Sequence, residues 1–402
     1  MERLRAGKAP GLDGLAPDLL RHAPAALSYV LADVFSASLR LGYLPRAWRH
    51  CALRLLPKPG KPLTEPSHFR PIALCSCVGK LLERIVARRL LAICRRRNLL
   101  PPQQSAFQAG RDTTEQLVLL TQRVGQALNA GLSTTLVALD ARKAFDCVWH
   151  AGLLRSLRER QFSAPTRRWV ASFLQHRSAS VLEDGHLSRR FVVAAGVPQG
   201  SPLSPLLYIL YTAEMPLPCG PHAGASLYAD DVAFWASGPS PAAALQRIRP
   251  ALHRAVRWGR RWRIAFNPDK TQLGFFSRRT AWPLDSLAPQ HLLGVRQEWA
   301  PSVDLLGVRL DRRLSFAAHL RRLQERLGPR ILDLRRWTWA YRSVPAWVGV
   351  LLFRALLRPA YLYAAPVLLL ASPTAREALR RCLLYTSPSP RDLSTSRMPS
   401  SA

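Results

Sequence analysis

The tetrapeptide Tyr228-Ala229-Asp230-Asp231 interrupts an apolar run, with Ala225-Ser226-Leu227 before it and Val232-Ala233-Phe234-Trp235 after it. Leu227, Tyr228, Val232, Phe234 and Trp235 favour strands, so two aspartates at the midpoint predict a tight hairpin turn. About ninety residues upstream, Leu136-Val137-Ala138-Leu139-Asp140 is a second apolar strand that ends in an aspartate. Two core strands that each deliver carboxylate at one end are what a divalent-metal site needs. Carboxylates held ~4 Å apart repel by about 4 kcal/mol at an effective dielectric near 20, so such a cluster takes up protons or binds a cation. Hard oxygen ligands suit Mg²⁺, and two ions ~3.5–4 Å apart clamp an in-line phosphoryl displacement. An isolated Asp-Asp is more often a solvated turn. The case for a metal site therefore depends on the segments around it.

The composition narrows the partner. The chain has 402 residues, 58 Lys+Arg against 25 Asp+Glu, and a formal charge of +33. That surplus favours a polyanion, nucleic acid by default, although a GC-rich coding sequence also enriches arginine. Hydrophobic residues make up 48%, enough for a core, which excludes a disordered basic tail. The seven cysteines show no Cys-x₂-Cys pair or Cys/His knuckle, so no zinc site is expected, and their scatter suits a reducing compartment. The greasiest stretch, Tyr361 to Ala371, contains Pro366 and is too short to span a bilayer, so no membrane partner is expected.

Periodicity predicts helices over 15–41 (stopped by Gly42), 78–97 and 113–128, two more between Asp140 and Gln175, and another over 242–262. A hairpin is expected around Glu183-Asp184-Gly185, and strands at 272–276 and 303–308. A helix over 201–211 has Ser201 as its expected N-cap and Pro202 as its first residue. Trp258 and Trp262 are expected in the core. From Phe316 to Cys382 the chain reads mainly as basic helices. Residues 386–402 lack any aromatic or β-branched apolar residue and are expected to be disordered, as a non-native scar.

Several segments, in order, resemble reverse transcriptases of the non-LTR (LINE-like) retrotransposon type, over about residues 6 to 382. Ala6-Gly7-Lys8-Ala9-Pro10-Gly11-Leu12-Asp13-Gly14, Phe69-Arg70-Pro71-Ile72-Ala73-Leu74 and Ser105-Ala106-Phe107-Gln108-Ala109-Gly110-Arg111 resemble fingers motifs. Asp140 to Asp146 is similar to motif A of the palm, Gly196 to Pro205 to motif B, Tyr228 to Asp231 to motif C, and Asn267 to Thr271 to motif D. Leu305-Leu306-Gly307-Val308 is similar to the palm element that follows.

The resemblance implies an α+β right-hand polymerase with fingers (1–130), an antiparallel palm (131–310), a helical thumb (311–382) and the tail (383–402). It implies RNA-directed DNA synthesis with two Mg²⁺ ions, for which Mn²⁺ is a substitute. Asp140 and Asp230 are the expected shared metal ligands. Asp231 either joins them or supports them, because successive strand side chains point to opposite faces. Phe145, by resemblance, is the steric gate under the sugar, and Asp146 is structural, capping a helix or pairing with Arg142. Gln199 and Gly200 lie in a loop whose backbone can approach a nucleotide closely. Arg70 and Lys58 are expected to hold the triphosphate, with Lys61 as a rival to Lys58. Lys270 is the expected proton donor to pyrophosphate.

Arg312, Arg313, Arg321 and Arg322, with Trp337, Trp339 and Trp347 nearby, are expected to track a template–primer duplex, or else to be a solvated face over core aromatics. The implied partners are an RNA template, a DNA primer or target DNA, and dNTPs, in a ribonucleoprotein of nucleus and cytoplasm. The chain reads as the polymerase part of a longer polyprotein, with an endonuclease on the missing part. The rival readings are an inactive or maturase-like RNA-binding descendant and an RNA-dependent RNA polymerase. The bulk of Phe145 disfavours the latter.

Overall fold

The computed structural model describes residues 7–279, 282–336 and 346–369, and beyond them 373, 376, 377 and 380. Trp337, Trp339, Cys382 and the expected disordered tail lie outside the described residues. The chain divides into two compact units. The first comprises residues 1–109, 141–216 and 254–266, the second residues 110–140, 217–253 and 267–402. Among the described residues, no helix is long and apolar enough to cross a membrane.

In the first unit, strand His50–Pro57 pairs antiparallel with Phe69–Leu74 and parallel with Ser178–Glu183. The expected hairpin joins Ser178–Glu183 to His186–Leu187, with Asp184 (φ 46°) and Gly185 (φ 80°) at its turn. Two successive left-handed residues match the twist of a two-residue hairpin. Helix Cys77–Arg96 begins where the Ser76 hydroxyl accepts the Gly79 N–H at 3.3 Å.

Two helix expectations need correction here. The single helix over 15–41 is two, Pro17–Arg21 and Ala25–Leu41, because Pro24 lacks an N–H and restrains the residue before it. Gly42, at φ 65°, stops the second as expected. The helix after Gly200 starts later, at Ser204–Thr212. Ser201 is not the residue flanking the first turn. Its hydroxyl accepts the N–H groups of Leu203 and Ser204 (3.1 and 3.3 Å) and donates to buried Glu83 at 2.5 Å.

The second unit is built on a five-stranded sheet in the order Trp299–Ala300, Gln272–Phe276, Ser133–Asp140, Asp231–Gly238, Ala223–Tyr228. Every pairing is antiparallel except the edge pair of Trp299–Ala300 with Gln272–Phe276. The central strand is buried at every position until Asp140, which explains the apolar run Leu136 to Leu139. Leu117, Leu120, Val124 and Leu128 of helix Thr113–Asn129 pack with Leu136 and Ala138 of that strand and with Phe276. Buried polar groups of this sheet pair with one another or with the helix: Ser226 donates to Gln116 at 2.6 Å, and Thr134 and Ser237 share a bond of 2.8 Å.

The single strand expected over 303–308 is a hairpin, Ser302–Leu305 with Val308–Asp311. Leu306 (φ 47°) and Gly307 (φ 79°) turn it. A leucine in the left-handed region costs roughly 1–2 kcal/mol, which is why the leucine-rich segment conceals its turn.

The close approach of this hairpin to the sheet depends on Gly274. A Cβ there would overlap Val303 Cγ2. Gly274→Ala should lower stability by about 1–3 kcal/mol in urea unfolding. In a double-mutant cycle with Val303→Ala the two changes should couple by at least ~0.5 kcal/mol. Strict additivity would mean that the overlap is relieved elsewhere.

Candidate active site

The Asp-Asp hairpin forms as the alternation of residues requires. Tyr228 faces Asp231 across the ladder, which leaves Ala229 and Asp230 as a two-residue turn. Ala229 adopts φ 58°, a conformation that L-residues avoid and that clusters at functional sites. On its other side Asp231 faces Asp140. Directly opposed residues of an antiparallel pair project to one face, so the register places the Asp140 and Asp231 side chains together. The end of the Asp140 strand is fixed by the Asn267 N–H, which donates to the Asp140 carbonyl at 2.8 Å.

The turn Pro268–Lys270 follows, with the Asn267 side chain accepting the Asp269 N–H at 3.3 Å. It delivers the Lys270 ammonium to 3.3 Å from Asp140 Oδ2. Asp140, Asp231, Asp269, Lys270, Gln272 and Asp304 line a cavity of about 360 Å³.

Gln272 and Asp304 were not singled out from the sequence. The Gln272 amide oxygen accepts the Asp304 N–H at 2.9 Å. The Asp304 carboxylate takes two 2.9 Å bonds from Arg309 and one of 3.1 Å from Arg322. The Arg309 bonds above all hold it below the usual carboxylate range. Only the alternation of Val303, Leu305 and polar Asp304 hints at this role.

Asp231 shows the opposite shift. Enclosure by the surrounding chain, reinforced by the charges of Asp230 and Asp140, pushes its carboxyl up to about 6. The residue as a whole is solvent-exposed, so the enclosure is that of a rim. Among the described residues, no three His, Cys, Asp or Glu side chains close into a ready metal cage. The donor set nonetheless fits Mg²⁺, which typically takes one or two carboxylates and completes its shell with water and substrate phosphates. The Lys270 ammonium beside Asp140 shows that a cation is accommodated there.

The other expected site residues divide by unit. In the second, the Arg312 guanidinium lies 4.9 Å above the Phe275 ring and donates to the Arg279 carbonyl. Arg322 is held by Asp304, while Arg313 and Arg321 are exposed. Trp347, on helix Ala346–Leu352, is also exposed. In the first unit, Phe145 stacks on Tyr208 with ring centroids 5.0 Å apart. Asp146 accepts the Gln199 amide at 3.0 Å, a partner not foreseen for either. The Gln199 carbonyl accepts the Ala73 N–H at 2.6 Å. Gly200 has φ 122°, and a Cβ on it would lie 2.6 Å from the Ala73 oxygen, so only glycine fits. Lys58 donates to the Ser67 carbonyl at 2.7 Å, and Arg70 is exposed. Trp258 is buried and stacks on Trp262 at 5.9 Å.

Residues 56–310 match the family described as reverse transcriptase (RNA-dependent DNA polymerase). The chain belongs to this family. Its α+β, right-hand polymerase class is the one expected from the sequence. Similar proteins include the probable RNA-directed DNA polymerase from transposon BS of Drosophila melanogaster, 36% identical over 82% of this chain and 36% of the relative. Another is the RNA-directed DNA polymerase from mobile element jockey of the same organism, 30% identical over 93% of this chain and 41% of the relative. The chain thus spans well under half the length of these relatives. A telomerase structure from Candida tropicalis aligns with a TM-score of 0.45 at 12% identity, covering 71% of this chain and 59% of that one.

The raised Asp231 carboxyl makes stability depend on pH. Its folded value, about 6, exceeds the ordinary 3.8, so its contribution is fully present below about 4 and is lost as pH rises through 6. In metal-free buffer, Asp231→Asn should therefore gain melting temperature over the wild type as pH rises from 4 to 7, and match it below 4. Parallel melting curves across that range would refute the shift.

Proposed function

We propose that this chain is an RNA-directed DNA polymerase, the copying part of a non-LTR mobile-element protein. The observation that carries this reading is the register pair Asp140–Asp231 facing one cavity with Lys270, in a chain that matches the reverse transcriptase family over residues 56–310. Asp140 and Asp231, with Asp230 nearby, would hold two Mg²⁺ ions, or Mn²⁺ in their place, which would supply Lewis-acid stabilisation for attack by a primer 3′-hydroxyl on the α-phosphate of a dNTP.

Asp140 and Asp231 present their oxygens on one sheet face, and Asp230 adds charge from the turn. Lys270 neutralises Asp140 at rest and gives a proton to departing pyrophosphate. Arg70 and Lys58 hold the triphosphate through charge-assisted bonds. Gln199 and Gly200 contact the incoming nucleotide, and Phe145 excludes a 2′-hydroxyl. Arg313 and Arg321 are open to duplex phosphates, with Arg312 and Arg322 more firmly engaged within the protein.

In this reading fingers, palm and thumb follow the boundaries 1–130, 131–310 and 311–382. The partners are an RNA template and a DNA primer or target DNA, in a ribonucleoprotein of nucleus and cytoplasm. An endonuclease elsewhere in the full polyprotein would supply the primer end.

Primer extension on an RNA template tests the assignment. Asp140→Ala should abolish nucleotide addition but leave RNA affinity within a few-fold, because affinity comes from many arginine–phosphate contacts. Near-normal extension by this variant would remove Asp140 from the site. No extension by the wild type, with RNA binding retained, would favour a binding descendant that no longer polymerises.

The gate is tested separately. Phe145→Val should raise ribonucleotide use relative to deoxynucleotide use by at least about tenfold, or ~1.4 kcal/mol. An unchanged ratio in an active variant would leave Phe145 as a packing partner of Tyr208.

A further inference from the structure

Cys51 and Cys75 face each other across two strands of the first unit. Strand His50–Pro57 pairs with Phe69–Leu74 in a ladder whose outermost pair is Ala52 with Leu74, and one step further Cys51 meets Cys75. The residues are 3% and 1% exposed, in a small cluster with Ala73 and Ala179. Their side chains are hydrogen-bonded to each other. Facing residues of an antiparallel pair have Cα atoms about 4.5 or 5.5 Å apart, and a disulfide tolerates about 4.4–6.8 Å. The spacing of such a facing pair is compatible with a disulfide.

The surroundings distinguish the two sulfurs. Arg177, buried at 2% exposure, points its guanidinium at Cys75 Sγ across 3.8 Å and stacks on Phe173 at 5.0 Å. Cys51 Sγ lies 3.8 Å from the Ser178 carbonyl. The hydrogen bond from Cys75, with Arg177 nearby, lowers the Cys51 thiol and raises its partner. The Arg177 guanidinium beside the two sulfurs favours a thiolate on the pair. Glu83, the buried carboxyl beside this group, is pushed toward its neutral form by burial and is bonded to Ser201, so it competes weakly for Arg177.

We propose that Cys51 and Cys75 are an oxidisable dithiol that closes to a cross-strand disulfide when it meets a hydroperoxide. One thiolate of the pair attacks the peroxide, the O–O bond breaks, and a sulfenic acid forms as one oxygen leaves as water or alcohol. The other sulfur then displaces the sulfenic oxygen, which leaves as water. The two thiols together lose two protons and two electrons, and the peroxide gains them. The crosslink has a structural consequence. Two residues before Cys75, Ala73 carries the N–H that binds the Gln199 carbonyl and the oxygen against which Gly200 packs. A disulfide would fix the strand segment that anchors this loop.

The folded full-length chain is treated with hydrogen peroxide, unfolded, and alkylated to count free thiols by mass spectrometry. The count should fall from seven to five, with one new peptide joining Cys51 to Cys75, and a thiol reductant should restore it. Cys51→Ser or Cys75→Ser should abolish the joined peptide, while Cys94→Ser, which removes another buried thiol, should not. If a serine variant fails to fold, the wild-type peptide map decides alone. No peptide joining Cys51 to Cys75 at a dose that oxidises exposed Cys219, or a crosslink between other cysteines, would overturn the proposal.

Discussion

The pairing register of strand Ser133–Asp140 is the constraint on which the candidate site depends. Its residues pair with Asp231–Gly238 on one side and Gln272–Phe276 on the other. Side chains alternate along a strand, so a slip of one residue would turn Asp140 to the opposite face. The slip is prevented by the core. Leu136 and Ala138 pack with the helix of Leu117, Leu120 and Val124, and that packing is lost if the strand moves. The hydrophobic energy of one face thus fixes the position of a carboxylate at the strand's end.

That position is electrostatically costly without a cation. Asp231 is enclosed by the surrounding chain, Asp230 is adjacent to it and Asp140 adds its charge from the next strand, and together these raise the Asp231 carboxyl. Lys270 offsets part of this through Asp140, as an exposed counter-ion on a turn. The half-buried ion network of Asp304 in the same unit looks different. Asp304 is held by three short guanidinium bonds, and its carboxyl is lowered. The contrast between the saturated Asp304 carboxylate and the raised Asp231 carboxyl separates a structural ion network from a site suited to a ligand.

The sequence made the apolar strands, the Asp-Asp turn and most helices legible, because each follows a period of two or near 3.6 uninterrupted by special backbone. Its failures have local causes. Leu306 turns a hairpin in a conformation that leucine disfavours, so the turn was invisible in the residues 303–308. Pro24 divided a helix whose apolar spacing continues through the break. The Asp140–Asp231 pairing was not legible at all, since a register is a property of two strands and the residue after a turn gives no sign of its face. Gln272 and Asp304 went unnoticed because their bonds join segments thirty-two residues apart.

The central claim is that Asp140 and the Asp-Asp hairpin hold the divalent cation. Replacing Mg²⁺ by Fe²⁺ in a complex with template, primer and dNTP, then adding ascorbate and peroxide, cuts the backbone beside the bound metal. The account predicts cuts around Asp140 and around Asp230–Asp231, both suppressed by excess Mg²⁺. Cuts confined to other segments, with these two intact in an extension-competent protein, would contradict it.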